Sequence, residues 1–365
     1  MDEPIRDISR SPTKLTVETD ILGVIGERLR TCCGAMSASS VVVVTDHQVG
    51  ELYAERVLDS LRGAGFVVGE FRIDVGEASK SLEVAASIYQ YLAVRELDRD
   101  GVIVALGGGV VSDLAGFVAA TWMRGVRFAI CPTTVEACVD AAIGGKTAVN
   151  IPAAKNLVGA FHQPILVAID PSCLLTLSPR DVRSGLAESV KHGVVLDPSF
   201  LDWHEQHVEA IVRLDSATLT ELIRWNIRLK SGIVLEDAEE RLDRRILLNF
   251  GHTIGHAIEA CSGSTLRHGE CVSLGMVAVC RLSCSLGLLA VADAQRVESI
   301  LSRFELPTRL ADSIESDRIM AAIRKDKKVR GGVPRLVLLE RIGRPVVRGD
   351  VPEEAIREAY ESLLP

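Results

Sequence analysis

Four residues of this 365-residue chain stand out for the chemistry they could do: Arg245, Asn249, His252 and His256, spaced at intervals of four, three and four. On a helix, at roughly 100° per residue, that spacing gathers all four within about 60° of arc on one face. A solvated face usually carries Lys and Glu. Here the rest of the stretch is Ile246, Leu247, Leu248, Phe250, Ile254 and Ile258, so the pattern predicts a buried polar stripe. His268, in Arg267-His268-Gly269-Glu270, follows a turn and can fold back toward His252, while Glu188 and Lys191 share one helical face. Glu188, His252 and His268 form a metal-ligand set of one carboxylate and two imidazoles, which suits zinc or a similar first-row ion and leaves positions open for substrate oxygens. His256 is then left for proton transfer.

A second group suits phosphate. The apolar run 102–106 leads into Gly107-Gly108-Gly109, and a helix-like segment with Asp113 and Gly116 follows. Glycines permit close backbone approach and the next helix turns its N–H groups to a phosphate, so this is a candidate pyrophosphate cradle, although it is not the G-x-G-x-x-G fingerprint. Thr45-Asp46 ends a central strand, where a ribose could be hydrogen-bonded, and Gly76-Glu77-Ala78-Ser79-Lys80 opens a helix. Both lie at carboxyl ends of strands, the edge along which ligands of open α/β sheets bind. Pro132-Thr133-Thr134 ends another strand, and Asp140, Gly144-Gly145-Lys146-Thr147, Asn150 and Lys155-Asn156 follow it. Lysines in glycine-rich loops offer mobile ammonium groups to phosphate or hydroxyl oxygens, and Asp140 can accept from a hydroxyl. The first glycine and spacer of a Walker A loop are missing, which argues against an ATPase.

The elements that must position these residues are of two textures. Residues 41–45, 66–73, 102–106, 126–131 and 165–169 read as buried strands, and 51–62 and 82–96 carry helical spacing between them. That alternation predicts a mainly parallel, doubly wound sheet. From 180 to 305 the pattern is mostly helical, and 335–347 suggests a small hairpin before a last amphipathic helix. The expected fold is α/β plus α: a Rossmann-like dinucleotide-binding domain over residues 1–178 and a mostly helical metal- and substrate-binding domain over 179–365. With 47% hydrophobic residues and a net charge of -8, the composition is that of a globular protein with no call for nucleic acid. Apolar runs fall far short of the roughly 20 residues of a membrane span. The opening Met1-Asp2-Glu3-Pro4 lacks an apolar signal region, so the expected compartment is the cytoplasm. The nine cysteines are odd in number and without C-x-x-C spacing, as expected of reduced thiols.

Taken together, the glycine turn with Asp113, Arg124-Gly125-Val126-Arg127, Pro132-Thr133-Thr134, Asp140, Gly144-Gly145-Lys146-Thr147, Lys155-Asn156, Glu188 with Lys191, and 249–256 resemble the 3-dehydroquinate synthase family from about Val41 to the 335–339 strand. The resemblance implies a usually dimeric enzyme that converts a seven-carbon keto-acid phosphate (DAHP) to 3-dehydroquinate and phosphate, with recycled NAD and Zn2+ or Co2+. It implies Glu188, His252 and His268 as metal ligands. It places Asp140, Lys146, Asn156, Lys191, Lys230, Arg245, Asn249, His256, Lys327 and Lys328 around the substrate, with His256, Lys146, Lys191, Arg245 and Asn249 taken as catalytic. It gives NAD to Asp46, Glu77, Lys80, Gly107, Gly108, Gly109, Asp113, Thr133, Thr134, Lys146, Lys155 and Thr176. A pocket rich in cations in an acidic chain suits a substrate bearing both carboxylate and phosphate. One departure stands out: an extra residue between Lys230 and His252 leaves Glu240 outside the assigned site. The rival readings are another sugar phosphate cyclase, such as an aminodehydroquinate, inosose or valiolone synthase; a metal-dependent alcohol dehydrogenase; and a non-catalytic binder of nucleotide or phosphosugar.

Overall fold

The five apolar runs form strands. The computed structural model describes residues 4–5, 13–34, 40–152, 154–263, 265–325 and 335–365. They divide into two compact units, Met1–Leu177 with Leu219–Glu239, and Ser178–Thr218 with Glu240–Pro365.

The first unit runs β1 (Pro4–Ile5), β2 (Thr13–Val17), α1 (Ile25–Cys33), β3 (Ser40–Asp46), then α2 (His47–Val49), which passes through a π-type turn at Gly50–Ala54 into α3 (Glu55–Gly63). It continues with β4 (Val67–Ile73), α4 (Leu82–Val94), β5 (Val102–Gly107), α5 (Gly109–Thr121), β6 (Arg127–Pro132), the hairpin β7 (Lys146–Ile151) and β8 (Ala154–Phe161), and β9 (Leu166–Ile169). The sheet order is β1-β2-β9-β6-β5-β3-β4. All pairings are parallel except β1 with β2. β5 is buried along its whole length, as a strand covered on both faces must be, and this is why it reads as a continuous apolar run. From β3 the chain passes to β4 on one side and then to β5 on the other, so the order reverses between β3 and β5. Thr45 pairs with Leu106 and Gly107 with Pro132, which brings Asp46, the glycine turn and Thr133 to one edge of the sheet, at that reversal.

The second unit opens with α6 (Pro179–Val195) and α7 (Pro198–Val212). Each has proline in its first turn behind a capping side chain: Ser178 accepts from Asp181 N, and Asp197 from Ser199 N. The chain then enters α8 (Ser216–Glu236), nearly all of which belongs to the first unit although its helical texture matches the second. There follow α9 (His252–Cys261), α10 (His268–Ser285), α11 (Val291–Arg303), α12 (Ser316–Arg324), the hairpin β10 (Leu336–Arg341) and β11 (Arg344–Arg348), and α13 (Glu353–Glu361). Among the described residues no helix is long and apolar enough to cross a membrane.

One expectation needs correction. Arg245, Asn249, His252 and His256 do not share a continuous helix: Arg245–Asn249 is a 3-10 turn, and α9 begins only after Gly251, which takes φ 76. That left-handed conformation suits glycine, and a Cβ there would lie 2.7 Å from Met276 N. The stripe is therefore built from two short pieces, with Arg245 1% and His252 8% exposed.

Candidate active site

In the second unit, α6 supplies Glu188 and Lys191, both 2% exposed at the side chain and in direct contact. Lys191 meets Glu188 Oε2, while Oε1 faces His252 Nε2 at 3.3 Å and His268 Nε2 at 3.4 Å. Burial works against ionisation of Glu188, but the Lys191 ammonium and His252 outweigh it and hold the carboxyl well below its usual range. Each imidazole is oriented by its other nitrogen: His252 Nδ1 donates to the Phe250 carbonyl at 3.0 Å, and His268 Nδ1 donates to Glu259 Oε2 at 2.9 Å. With Nδ1 of each ring committed as a donor, Nε2 is the atom turned toward Glu188 Oε1. Three electron-pair donors facing one another in this way fit a divalent cation. The donor atoms of His252, His256 and His268 also lie within 4.8 Å of one another.

Backbone contact fixes the helices that carry these side chains. A Cβ on Gly275 of α10 would lie 2.0 Å from the Gly251 carbonyl oxygen, and one on Gly269 would lie 1.8 Å from that of Ser184 on α6. Gly269 N also donates to Ser184 Oγ at 3.1 Å. The three helices bearing Glu188, His252 and His268 thus touch main chain to main chain, which leaves little room for the ligand set to drift.

In the first unit the glycine turn leads directly into α5, whose N-terminus has no side-chain cap. Its first N–H groups therefore point outward uncapped. Thr133 N donates to the Gly107 carbonyl at 3.1 Å, but its Oγ1 is buried and has no partner among the described residues. A Cβ on Gly108 would come within 2.9 Å of Thr134 Cγ2, so the Thr134 side chain packs closely against this turn. An uncapped helix terminus and an orphaned hydroxyl fit a dinucleotide pyrophosphate. Beside it Lys80, 4% exposed, meets Asp113 Oδ2 at 2.5 Å, and burial pushes the Asp113 carboxyl up against the pull of Lys80. Glu77 Oε1 accepts from Asn150 Nδ2 at 2.7 Å. Lys230, from α8, donates to the Asp140 carbonyl oxygen at 2.6 Å and pairs electrostatically with Asp140 Oδ1 at 2.9 Å. Lys146, Lys155 and Asn156 lie exposed on the β7–β8 hairpin. Asp46 Oδ1 caps α2 by accepting from Val49 N at 2.8 Å, and Thr176 Oγ1 lies 2.7 Å from the Tyr53 hydroxyl.

A family profile described as the N-terminal part of 3-dehydroquinate synthase matches residues 70–184, and one for its C-terminal part matches 185–329. The 3-dehydroquinate synthase of Symbiobacterium thermophilum is 44% identical over 323 residues, 88% of this chain and 90% of its own. The chain belongs to the 3-dehydroquinate synthase family. Its activity is that of the family, a lyase step in the shikimate pathway. Among solved structures, a 2-epi-5-epi-valiolone synthase from Streptomyces hygroscopicus subsp. jinggangensis 5008, with NAD+ and Zn2+ bound, has a TM-score of 0.87 at 28% identity and 98% coverage of each chain. A 2-deoxy-scyllo-inosose synthase complexed with carbaglucose-6-phosphate, NAD+ and Co2+ has a TM-score of 0.90 at 24% identity and full coverage of both chains, and so shares the fold.

For this 3-dehydroquinate synthase family member, three side chains outside the assigned site prove to touch it. Glu240 Oε1 stands 3.6 Å from Arg245 Nε, because positive φ at Glu240 and Asp243 turns the loop back on itself. Glu259 holds His268, and Asn150 links Glu77 to the hairpin through its own Oδ1, which accepts from Asn156 N at 3.0 Å. The signal for Glu259 is its place three residues beyond His256, on the same helix face. Lys327 and Lys328 lie outside the described residues.

Proposed function

We propose that this chain converts DAHP to 3-dehydroquinate and phosphate with NAD and a divalent metal, Zn2+ or Co2+. The observation that carries the reading is the Glu188 carboxylate with Lys191 on one oxygen and two outward-braced imidazoles facing the other. Glu188, His252 and His268 would hold the metal. Asp46, Glu77, Lys80, Gly107, Gly108, Gly109, Asp113, Thr133, Thr134, Lys146, Lys155 and Thr176 would hold NAD. When bound, NAD supplies reversible hydride removal at a substrate hydroxyl and the metal polarises the substrate's hydroxyls.

The chain's own residues then bind, orient and move protons. Arg245, almost wholly buried and braced by Glu240, presents a fixed fork to an anionic substrate group, and Asn249 offers an amide to a hydroxyl. Lys191 is a fixed cation beside the ligand set. Asp140, Lys146, Asn156, Lys230, Lys327 and Lys328 are assigned to substrate contacts on the same reasoning. His256, with its ring 5.2 Å from that of His252 and 5.8 Å from that of His268, is the group placed to carry a proton. We further infer a homodimer in the cytoplasm without a nucleic-acid partner, consistent with the net charge of -8. Sedimentation velocity giving a monomer at micromolar concentration would remove the dimer.

The test of the activity is direct. Purified protein with DAHP, catalytic NAD and zinc is expected to release phosphate and 3-dehydroquinate with no lasting reduced-nicotinamide absorbance, and His252→Ala is expected to abolish turnover. Stoichiometric NADH would indicate a dehydrogenase. Phosphate released from amino-DAHP, sedoheptulose 7-phosphate or glucose 6-phosphate, but not from DAHP, would reassign the substrate.

A further inference from the structure

We propose that Glu259 is a positioning residue for the metal, setting the tautomer and ring orientation of His268 and so how tightly the site holds a divalent cation. This rests on the reading of Glu188, His252 and His268 as ligands.

The two imidazoles are braced differently. His252 leans on a backbone carbonyl, that of Phe250, and its side chain is 10% exposed. His268 is 28% exposed and leans instead on the Glu259 carboxylate. An ionised carboxylate only accepts, so Nδ1 of His268 must carry a proton, and in the neutral ring this leaves the Nε2 lone pair on the side of Glu188. A charged acceptor also makes Nε2 a better donor than a neutral one does.

The main chain at His268 is fixed independently. Gly269 N is held by Ser184 Oγ, and Arg180 grips Glu270 through Nε and Nη2, both at 2.7 Å. Glu270 Oε2 in turn accepts from Arg267 N at 2.8 Å. What remains to be fixed at His268 is the rotation of a partly exposed ring, and Glu259 reaches that ring from α9, the helix that also supplies His252. One helix thus provides a first imidazole directly and orients the second through its partner.

The test uses full-length Glu259→Ala, Glu259→Gln and His268→Ala. Zinc affinity is read by competition with a chromophoric chelator, and ligand geometry by the visible spectrum of the Co2+-loaded protein. Glu259→Ala is expected to bind zinc about 10- to 100-fold more weakly and to shift the Co2+ spectrum, with NAD affinity unchanged. Glu259→Gln, which can still accept from Nδ1, is expected to fall between the Ala variant and the parent. A purely structural role would lower the melting temperature of the metal-free protein and leave the Co2+ spectrum of the folded fraction as in the parent. The proposal is overturned if Glu259→Ala keeps parental zinc affinity and spectrum while His268→Ala loses both. If His268→Ala also binds as the parent does, the ligand assignment itself fails.

Discussion

Glu188 and Lys191 stand one turn apart on α6 with their charged ends in contact and each side chain 2% exposed. Such a pair is costly to break from one side, because the partner left behind is an uncompensated buried charge. Lys191→Ala is therefore expected to destabilise the metal-free protein by roughly 3–5 kcal/mol. Zinc, as a replacement cation on the same carboxylate, should recover a large part of that loss. Urea unfolding with chelator and with zinc checks both statements, and equal losses in the two conditions would detach Glu188 from the metal.

The approach of Gly275 to the Gly251 carbonyl predicts a second effect. A methyl group 2.0 Å from that oxygen and 2.8 Å from Gly255 N cannot be absorbed by a side-chain rotation, so α9 and α10 must separate. Gly275→Ala should cost about 1–3 kcal/mol in thermal unfolding. It should also weaken zinc binding, since His252 and His268 stand on the two helices being parted. Parental zinc affinity in a destabilised variant would show that the ligand geometry does not depend on this contact.

How far the sequence alone reveals this arrangement depends on what each segment is packed against. β3 and β5 are covered on both faces, so Val41 to Val44 and Val102 to Leu106 carry an unmistakable apolar run. β2, whose sequence is TKLTV, pairs among the described residues with the short β1 and with β9, keeps Lys14 partly exposed, and has no periodicity long enough to read. The helical spacing holds only in part: His252 and His256 do share α9, but Gly251 separates them from Arg245 and Asn249. α8 was invisible as a member of the first unit because helical texture says nothing about which neighbours a helix meets. The link from Lys230 to Asp140 spans 90 residues. Glu240 is left outside the site by sequence spacing because loop conformation brings it to Arg245, and Glu259 goes unread because its partner stands on another helix.

The buried hydroxyl of Thr133 makes the cofactor assignment testable without turnover. Its Oγ1 has no partner among the described residues, so a valine of similar shape forfeits nothing in the nucleotide-free protein. If NAD supplies the missing hydrogen bond, Thr133→Val should weaken NAD by about 1 kcal/mol, roughly 5-fold, with the apo melting temperature unchanged or raised. Fluorescence titration with NADH measures the first and calorimetry the second. Unchanged affinity would remove Thr133 from the cofactor site.

His204 gives the second unit an acid-sensitive point on α7, held by Ser189, the neighbour of Glu188 on α6. It is fully buried, with Nδ1 donating to the Phe200 carbonyl at 2.6 Å and Nε2 accepting from Ser189 Oγ at 2.8 Å. Burial pushes its pKa down from 6.5 to about 3, so it stays neutral in the fold. Below pH 6.5 the unfolded chain binds a proton that the folded chain refuses, so this contribution to stability is intact at neutral pH. It is lost progressively as the pH falls toward 3. At pH 5 the loss should be about 2 kcal/mol. His204→Gln keeps a hydrogen-bonding amide but cannot titrate, and should flatten the stability curve between pH 4 and 7 even if its neutral-pH stability is lower. Parallel curves for parent and variant across that range would mean that other groups, chiefly the carboxylates, govern the acid limb.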